Sequence, residues 1–584
     1  MMNRRERRSA QKHGKKGRSK ASGNVQALAH RQFAEAADAY QSGNLAQATR
    51  LTEDLIKKLP PNSDLYKLRG SIELARQNFR KATGFFQEGL QVDPTNSILC
   101  DLMGTSLSGA GLFQEAIISF RRALLNDSRN PGTLNNYGLA LFRNGDLDEA
   151  IKALRESLIY RPGDKSTRLN LAGVWEEKGD FTAAEAIYRD LIGEAPDFIE
   201  AYQALGECQM NSHNWPGALQ TAEDALIRGL VDAEIYTLKA YALGTLLRFS
   251  EAEEALQRAL EIEPDRPSAL SALSILSFYQ EKWLEGWRYY EARRHNPAFE
   301  SRPFPQPQWK GEDLTGKKVL LWGEQGVGDE IMFATMLPDF LKRGPDATFE
   351  MDRRLVPLFM RSFPQLTCIA RTDVPSGALL SDMFDYQIPS GSLGQYLRPH
   401  TDSFGAGEAY LKPDLNKVEA LRQTYGTSGK RLNVGLAWYS SNGRGLSKSI
   451  PLNSLEPLFH IPDVQFFDLQ YGDTSQEQRA FAEAFNHRLF HDESIDQMAS
   501  LDDFAAQIAA MDLVISISNS TVHLSGALGV PTWVMLPAAP MQRWLMNRSD
   551  SPWYASVELF RQRTNDDLPH VVQTVRNRLA QFGK

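Results

Sequence analysis

An alanine recurs every 34 residues: Ala48, Ala82, Ala116, Ala150, Ala184, Ala218 and Ala252. Twelve residues before each alanine stands Ala36, Gly70, Gly104, Gly138, Ala172, Gly206 or Ala240. The slot twelve residues after holds Pro60, Pro94, Pro162, Pro196 and Pro264. A fixed period of this length marks a supersecondary unit that is stacked, because one unit alone cannot bury its apolar face. Small residues let two helices approach closely. Proline lacks an N–H and stops the second helix before the next unit. The pattern therefore predicts paired helices from about residue 27 to 265, stacked into a superhelix whose concave face suits peptides and proteins.

A helix–turn–helix unit of 34 residues is the tetratricopeptide (TPR) repeat. A degenerate eighth unit comes next, with Gly286 in the alanine slot and Tyr290 behind it. Its Trp283, Trp287, Tyr289 and Tyr290 are expected to cap the array or dock it onto the next domain. The TPR superhelix is thus placed at residues 25–296, and a proline-rich linker at 297–316, where Pro297, Pro303, Pro305 and Pro307 enforce extended chain. Ahead of the repeats, residues 1–24 carry Arg4, Arg5, Arg7, Arg8, Lys12, Lys15, Lys16, Arg18 and Lys20. Almost no apolar side chain accompanies them, so a disordered basic tail is expected. Contact with an acidic surface, a membrane or RNA is the alternative use of such a run.

Past the linker the texture changes. Lys317–Gly323 reads as a buried strand, Glu324–Asp329 as a glycine turn and Ile331–Leu341 as a helix. A second strand–turn start appears at Leu432–Trp438, after a polar stretch. Strands Val464–Gln470, Asp512–Ile517 and Thr532–Leu536 then alternate with helices Gln476–Phe485, Asp503–Ala510 and Val522–Leu528. Alternation of this kind predicts parallel sheets covered by helices. Two starts predict two Rossmann-like lobes, at 317–430 and 431–584, facing across a cleft.

Composition narrows the function. A chain of 584 residues exceeds one core. Its net charge of −7 gives no general attraction to nucleic acid or anionic lipid. Cys100, Cys208 and Cys368 are far apart and lack metal-ligand spacing, which points to a reducing compartment. No apolar run spans a bilayer, and the basic N-terminus lacks the apolar stretch of a signal peptide. A cytoplasmic location is expected.

Three loops carry candidate chemistry. In the first, Gly326 and Gly328 would let backbone approach a ligand, and Asp329 is either a general base for an acceptor hydroxyl or a helix cap. The loop is no Walker motif, and Met332 and Phe333 stand where a dinucleotide fingerprint needs its third glycine. In the second, Ser440–Lys448, Arg444 and Lys448 suit a phosphate, or else belong to a solvated loop. In the third, Ser520, Thr521 and His523 open a helix after a strand, which makes an anion site or a serine cap beside a packed histidine. No Asp-x-Asp ends a strand, so no metal-held nucleotide sugar is indicated, and no metal site or tightly bound cofactor is expected.

Taken together these segments resemble a known family. The run GWRYYEARR from Gly286, then Pro307-Gln308-Trp309 and LLWGEQGVGDEIMFATMLP, is similar to the junction of bacterial TPR-linked glycosyltransferases. DYQIPSGSLGQYL from Asp385, AYLKPD from Ala409, LSGALGV from Leu524, DSPWY from Asp550 and LFRQ from Leu559 match as well. The resemblance implies a GT-B domain, related to heptosyltransferases, behind a TPR solenoid, an architecture parallel to O-linked N-acetylglucosamine transferase. It implies inverting, metal-independent transfer from a nucleotide-activated sugar to Ser/Thr hydroxyls of a protein held by the repeats, flagellin in some members. It places the proposed catalytic aspartate at Asp329 and the donor's phosphates against Arg444, Lys448 and the helix start at Ser518–His523. Ser518 and Asn519 depart from the family's Asp-Thr-x-x-x-His pattern, whereas His523 keeps it. That departure bears on the donor, and leaves room for a single-phosphate donor such as a CMP-linked nonulosonic acid. A lipid-linked glycan as acceptor, and a non-catalytic adaptor with a degenerate transferase domain, are the alternatives.

Overall fold

A computed structural model describes residues 30–296, 299, 301–426, 429–440, 448–564 and 567–582. The basic tail and Arg444 lie outside the described residues. The chain divides into two compact units, one ending at Asn214 and one beginning at Trp215.

The first unit is helical: 30–41, Leu45–Lys58, Ser63–Ala75, Phe79–Val92, Ser97–Gly109, Phe113–Asn126, Pro131–Asn144, Leu147–Tyr160, Lys165–Glu177, Phe181–Glu194 and Ile199–Asn211. The periodic alanines Ala48, Ala82, Ala116, Ala150 and Ala184 are all 0% exposed. The slot twelve residues earlier is small because a ring or a branched side chain fills the space. A Cβ on Gly70 would collide with the Phe86 ring, and one on Gly104 would come within 2.7 Å of Phe120. Asn62, Asn96, Asn130 and Asp164 recur in the same register and cap helix starts through their side chains. The turn inside each repeat uses a left-handed residue: Gly43, Gln77, Gly111, Gly145, Gly179 and His213 all have positive φ. Glycine takes that conformation without steric cost, and Gln77 and His213 do not.

The second unit opens with five more helices, Trp215–Ile227, Ala233–Thr245, Phe249–Ile262, Pro267–Tyr279 and Trp283–Tyr290. The aromatic residues of the last one dock. Trp287 donates through Nε1 to the Arg398 carbonyl at 2.9 Å, and Trp283 to Thr401 Oγ1 at 2.8 Å. A Cβ on Gly394 would collide with Trp287, so only glycine admits the indole there. The proline-rich segment is extended but not detached. Trp309 is fully buried, its N–H donates to the Gln387 carbonyl at 3.0 Å, and Arg302 pairs with the buried Glu350.

Two parallel sheets complete the unit. The first holds β1 Lys318–Trp322, β2 Asp346–Met351, β3 Thr367–Ala370 and β4 Tyr386–Pro389, in the order β3-β2-β1-β4. The second holds β5 Leu432–Ala437, β6 Val464–Asp468, β7 Leu513–Ile517, β8 Thr532–Leu536 and β9 Val557–Arg561, in the order β6-β5-β7-β8-β9. Lys318 pairs with Asp346 and Val434 with Leu513, and every neighbouring pair of strands is parallel. β7 and β8 are buried at every residue, as strands covered on both faces must be. The helix expected at Ile331–Leu341 starts earlier and is broken. It runs Val327–Phe333, becomes a 3₁₀ turn at Ala334–Met336 and resumes at Leu337–Leu341. Pro338 has no N–H for a continuous ladder.

Candidate active site

Four loops converge, each leaving the carboxyl end of a parallel strand: Asp329 after β1, Lys448 after β5, Ser518–His523 after β7 and Arg543 after β8. The first belongs to one sheet and the others to the second. Gly328 makes their contact possible. A Cβ there would lie 3.1 Å from His523 Cδ2 and 3.4 Å from Ser520 Cα, so helix Val327–Phe333 rests on the start of helix Ser520–Ala527. The glycine pattern alone assigns Gly328 to a ligand, whereas in the structure its missing side chain admits the neighbouring helix. Gly326 is the N-cap of its helix, with φ −107°, and the strained residue of the turn is Gln325, with φ 62°.

Asp329 sits within the first helical turn and does not cap it. Its Oδ1 accepts from Arg543 Nη2 at 2.7 Å. Arg543 reaches His523 as well, with Nη1 3.0 Å from Nε2. A guanidinium can only donate, so Nε2 carries the lone pair and Nδ1 the proton. Nδ1 then donates to the Tyr554 hydroxyl at 3.1 Å. Tyr554 is bonded to Tyr410, whose own hydroxyl donates to the Ile331 carbonyl. The donor chain therefore runs from Arg543 through His523, Tyr554 and Tyr410 to backbone. His523 is buried and stacked on Trp544 at 5.5 Å and 10°. Burial, then the charges of Arg543 and Lys448, push its pKa well below the ordinary imidazole value, so the ring is neutral.

Lys448 is no solvated-loop cation. Its Nζ donates to the Ser518 carbonyl at 3.1 Å. Burial and Arg543 lower its pKa, and Asp329 opposes them. The serine cap is not realised, since Asn519 is the N-cap and accepts from Val522 N at 3.4 Å. Ser518 instead accepts from Trp544 Nε1 at 2.8 Å. Thr521 is fully buried and donates to the Leu469 carbonyl at 3.4 Å. Ser520 stands at the first helical position, half-buried beside Gly328. Among the described residues, two donors here have no partner, Asn519 Nδ2 and Arg543 Nε. Their orphaning is costly unless an acceptor-rich ligand arrives.

Each neighbour of Asp329 in the motif has its own partner. Glu324 accepts from Arg293 Nε at 2.9 Å and Nη2 at 2.7 Å, and from Gly391 N at 2.8 Å. Gln325 donates to the Tyr290 hydroxyl at 2.6 Å. Glu330 is fully buried beside Arg371 at 3.0 Å, and burial raises its pKa to about 7 despite that cation. Sequence pattern does not single out Arg543 or Trp544, and Tyr554, the end of the DSPWY segment, receives no role from it. The one signal along the chain is a cation between Pro540 and Trp544 after a strand.

Elsewhere in the second unit, a recess of about 400 Å³ is lined by Leu260, Leu273, Leu276, Glu253, Glu261 and Glu285. Among the described residues, no helix is long and apolar enough to cross a membrane.

The chain matches models of the tetratricopeptide repeat over residues 102–166, 138–197, 176–241 and 233–266. It is 33% identical to Protein FlbA of Caulobacter vibrioides over 424 residues, 68% of this chain and 70% of FlbA. A match of 424 residues is longer than either compact unit and so takes in parts of both. Protein O-mannosyl-transferase TMTC1 of Mus musculus is 26% identical over 135 residues, 22% of this chain and only 14% of that protein. The structure of a tetratricopeptide repeat protein from Parabacteroides merdae, 16% identical, aligns over 42% of this chain and 98% of its own length with a TM-score of 0.37.

Proposed function

The chain belongs to the family of Protein FlbA, and from that premise we propose that it is a GT-B glycosyltransferase. In this reading it moves a sugar from a nucleotide-activated donor to Ser/Thr hydroxyls of a protein acceptor. The observation that carries the reading is the corner where both sheets present their carboxyl ends. There, among the described residues, Lys448 and Arg543 outnumber Asp329, beside a helix N-terminus with two unpartnered donors. Excess positive charge, amide donors and an orphaned guanidinium N–H suit a phosphate. The resemblance to TPR-linked glycosyltransferases and the name of the mannosyl-transferase relative are in keeping with it.

Lys448, Arg543 and the start of helix Ser520–Ala527 then hold the donor's phosphate and stabilise the leaving nucleotide. His523, neutral and fixed by Tyr554, positions Arg543 and carries no proton to the reaction. Asp329 takes the acceptor hydroxyl's proton on Oδ2, since Arg543 engages Oδ1. A phosphate that draws the guanidinium away makes the carboxylate a stronger base. The repeats select the acceptor, flagellin being the leading candidate. The recess around Leu273, where Glu253, Glu261 and Glu285 outnumber Lys282, suits a stretch of it that carries basic side chains.

The test is calorimetric titration of the full chain with UDP, GDP and CMP. A charged hydrogen bond to phosphate is worth about 1.5–3 kcal/mol. Lys448→Ala and Arg543→Gln should each weaken the preferred nucleotide roughly tenfold or more. Equal affinity in wild type and both variants would remove this corner as the donor site. The Asp329–Arg543 ion pair also favours a second reading, an adaptor that binds nucleotide without turnover. Binding without sugar transfer would support it.

A further inference from the structure

The lobe of the second sheet carries a residue set that phosphate chemistry does not use. Glu456 and His460 lie on the 3₁₀-helix Leu452–His460. His487 follows helix Ser475–Phe485 directly after Asn486, whose φ of 56° ends that helix. His460 Nε2 and Glu456 Oε1 are 2.5 Å apart, and one ligand atom from each of the three residues lies within 4.8 Å of the others.

The arrangement is held from beneath. The His487 ring stacks on Phe459 at 5.6 Å and 29°. Phe459 is wedged against Phe466 at 4.4 Å and Phe481 at 4.9 Å, both buried. Glu477 ties the two elements together, accepting from Leu452 N at 2.9 Å and from Trp438 Nε1 at 2.8 Å. The His460 ring meets His487 edge-on at 5.3 Å. A surface ion pair between Glu456 and His460 is worth little by itself and gives no reason for a second imidazole.

We propose that Glu456, His460 and His487 form a zinc site, with the fourth position open to water. Tetrahedral zinc at about 2.0–2.2 Å from each ligand sets the ligand atoms roughly 3.3 Å apart. The ligand atoms here span the same range, with His460 and Glu456 2.5 Å apart and all three within 4.8 Å of one another. Two imidazoles and one carboxylate suit zinc better than magnesium or calcium, which take oxygen ligands. The His460 side chain is 55% exposed, so the ion enters from solvent without opening the fold. A metal there would clip the 3₁₀-helix to the end of its neighbour. The site is independent of the transfer reaction.

The experiment uses the full chain stripped with EDTA and titrated with Zn²⁺ by calorimetry, and with Co²⁺ in the visible spectrum. Wild type should bind with a four-coordinate Co²⁺ band. Glu456→Gln should weaken zinc by about tenfold or more, and His460→Ala combined with His487→Ala should abolish both signals. Circular dichroism of the metal-free variants should match wild type, which separates ligand loss from unfolding. Identical zinc stoichiometry and affinity in wild type and the double variant would overturn the proposal.

Discussion

In the first unit, side-chain contacts join residues close in sequence. Arg69 reaches Glu53 across 16 residues, Ser157 reaches Pro131 across 26 and Asn170 reaches Asn135 across 35. In the sheet-bearing part, Asp329 meets Arg543 across 214 residues, and Trp287 meets Arg398 across 111. The first kind of contact is repeated with every unit, so a sequence displays it as a period. The second kind is made once, and the local sequence, which marks Trp287 as a docking residue, names no partner for it. The comparison predicts that damage to the repeats stays local, whereas damage to a long-range contact spreads.

The largest effect should come from cutting the chain after residue 296, the boundary suggested by the repeat pattern. Trp283 and Trp287 are each 3% exposed and would lose their cover of Phe404, Arg398 and Trp553. Each such ring is worth about 3–5 kcal/mol. The fragment should self-associate in size-exclusion chromatography and bind a hydrophobic dye. A monodisperse fragment with native near-ultraviolet dichroism would break the comparison. Trp287→Ala in the full chain is a milder version. It leaves a cavity and orphans the Arg398 carbonyl, and should destabilise the second unit by about 3–5 kcal/mol in urea.

A third prediction concerns pH. Folding holds His523 neutral beside Arg543 and Lys448, while the unfolded chain titrates at about pH 6.5. Below that pH the unfolded state binds a proton that the folded state refuses. Stability is therefore lost as pH falls, by up to about 1.4 kcal/mol per unit from this group. Urea midpoints at pH 7.5 and 5.5 should differ less in His523→Gln than in wild type. Equal differences would mean that the ring protonates in place.

The smallest effect should be a gain. Leu247 occupies the left-handed turn position that glycine fills in other repeats, with φ 62°. Leu247→Gly should raise stability by about 1 kcal/mol, since a non-glycine residue there costs about 1–2 kcal/mol. A lower midpoint would show that the leucine side chain supplies more than its backbone strain takes.

These contrasts also explain how much of the molecule is legible in its sequence. The buried alanines, the small slot opposite Phe86 and Phe120, and strands β1, β5, β6, β7 and β8 all follow from local pattern. Strands β2, β3, β4 and β9 do not. β3 is half-exposed, and all four lie outside both the two strand–turn starts and the strand–helix alternation that mark the others. At the candidate site, Asp329, Lys448 and His523 are visible because each follows a strand in a distinctive loop. Arg543, which touches both Asp329 and His523, is not, since its importance is a matter of tertiary position. The packing of Gly328 against Ser520 and the bond from Thr521 to Leu469 are invisible along the chain for the same reason.

Asp329 tests the central claim most directly. The measurement is sugar transfer to purified flagellin, read by intact-protein mass, in wild type and Asp329→Asn. Asparagine keeps the size and can still accept from Arg543, but it cannot take a proton. The account predicts that transfer falls about 10²–10⁴-fold while nucleotide affinity is retained. Near-native transfer by Asp329→Asn would contradict it and leave the carboxylate as no more than the anchor of Arg543.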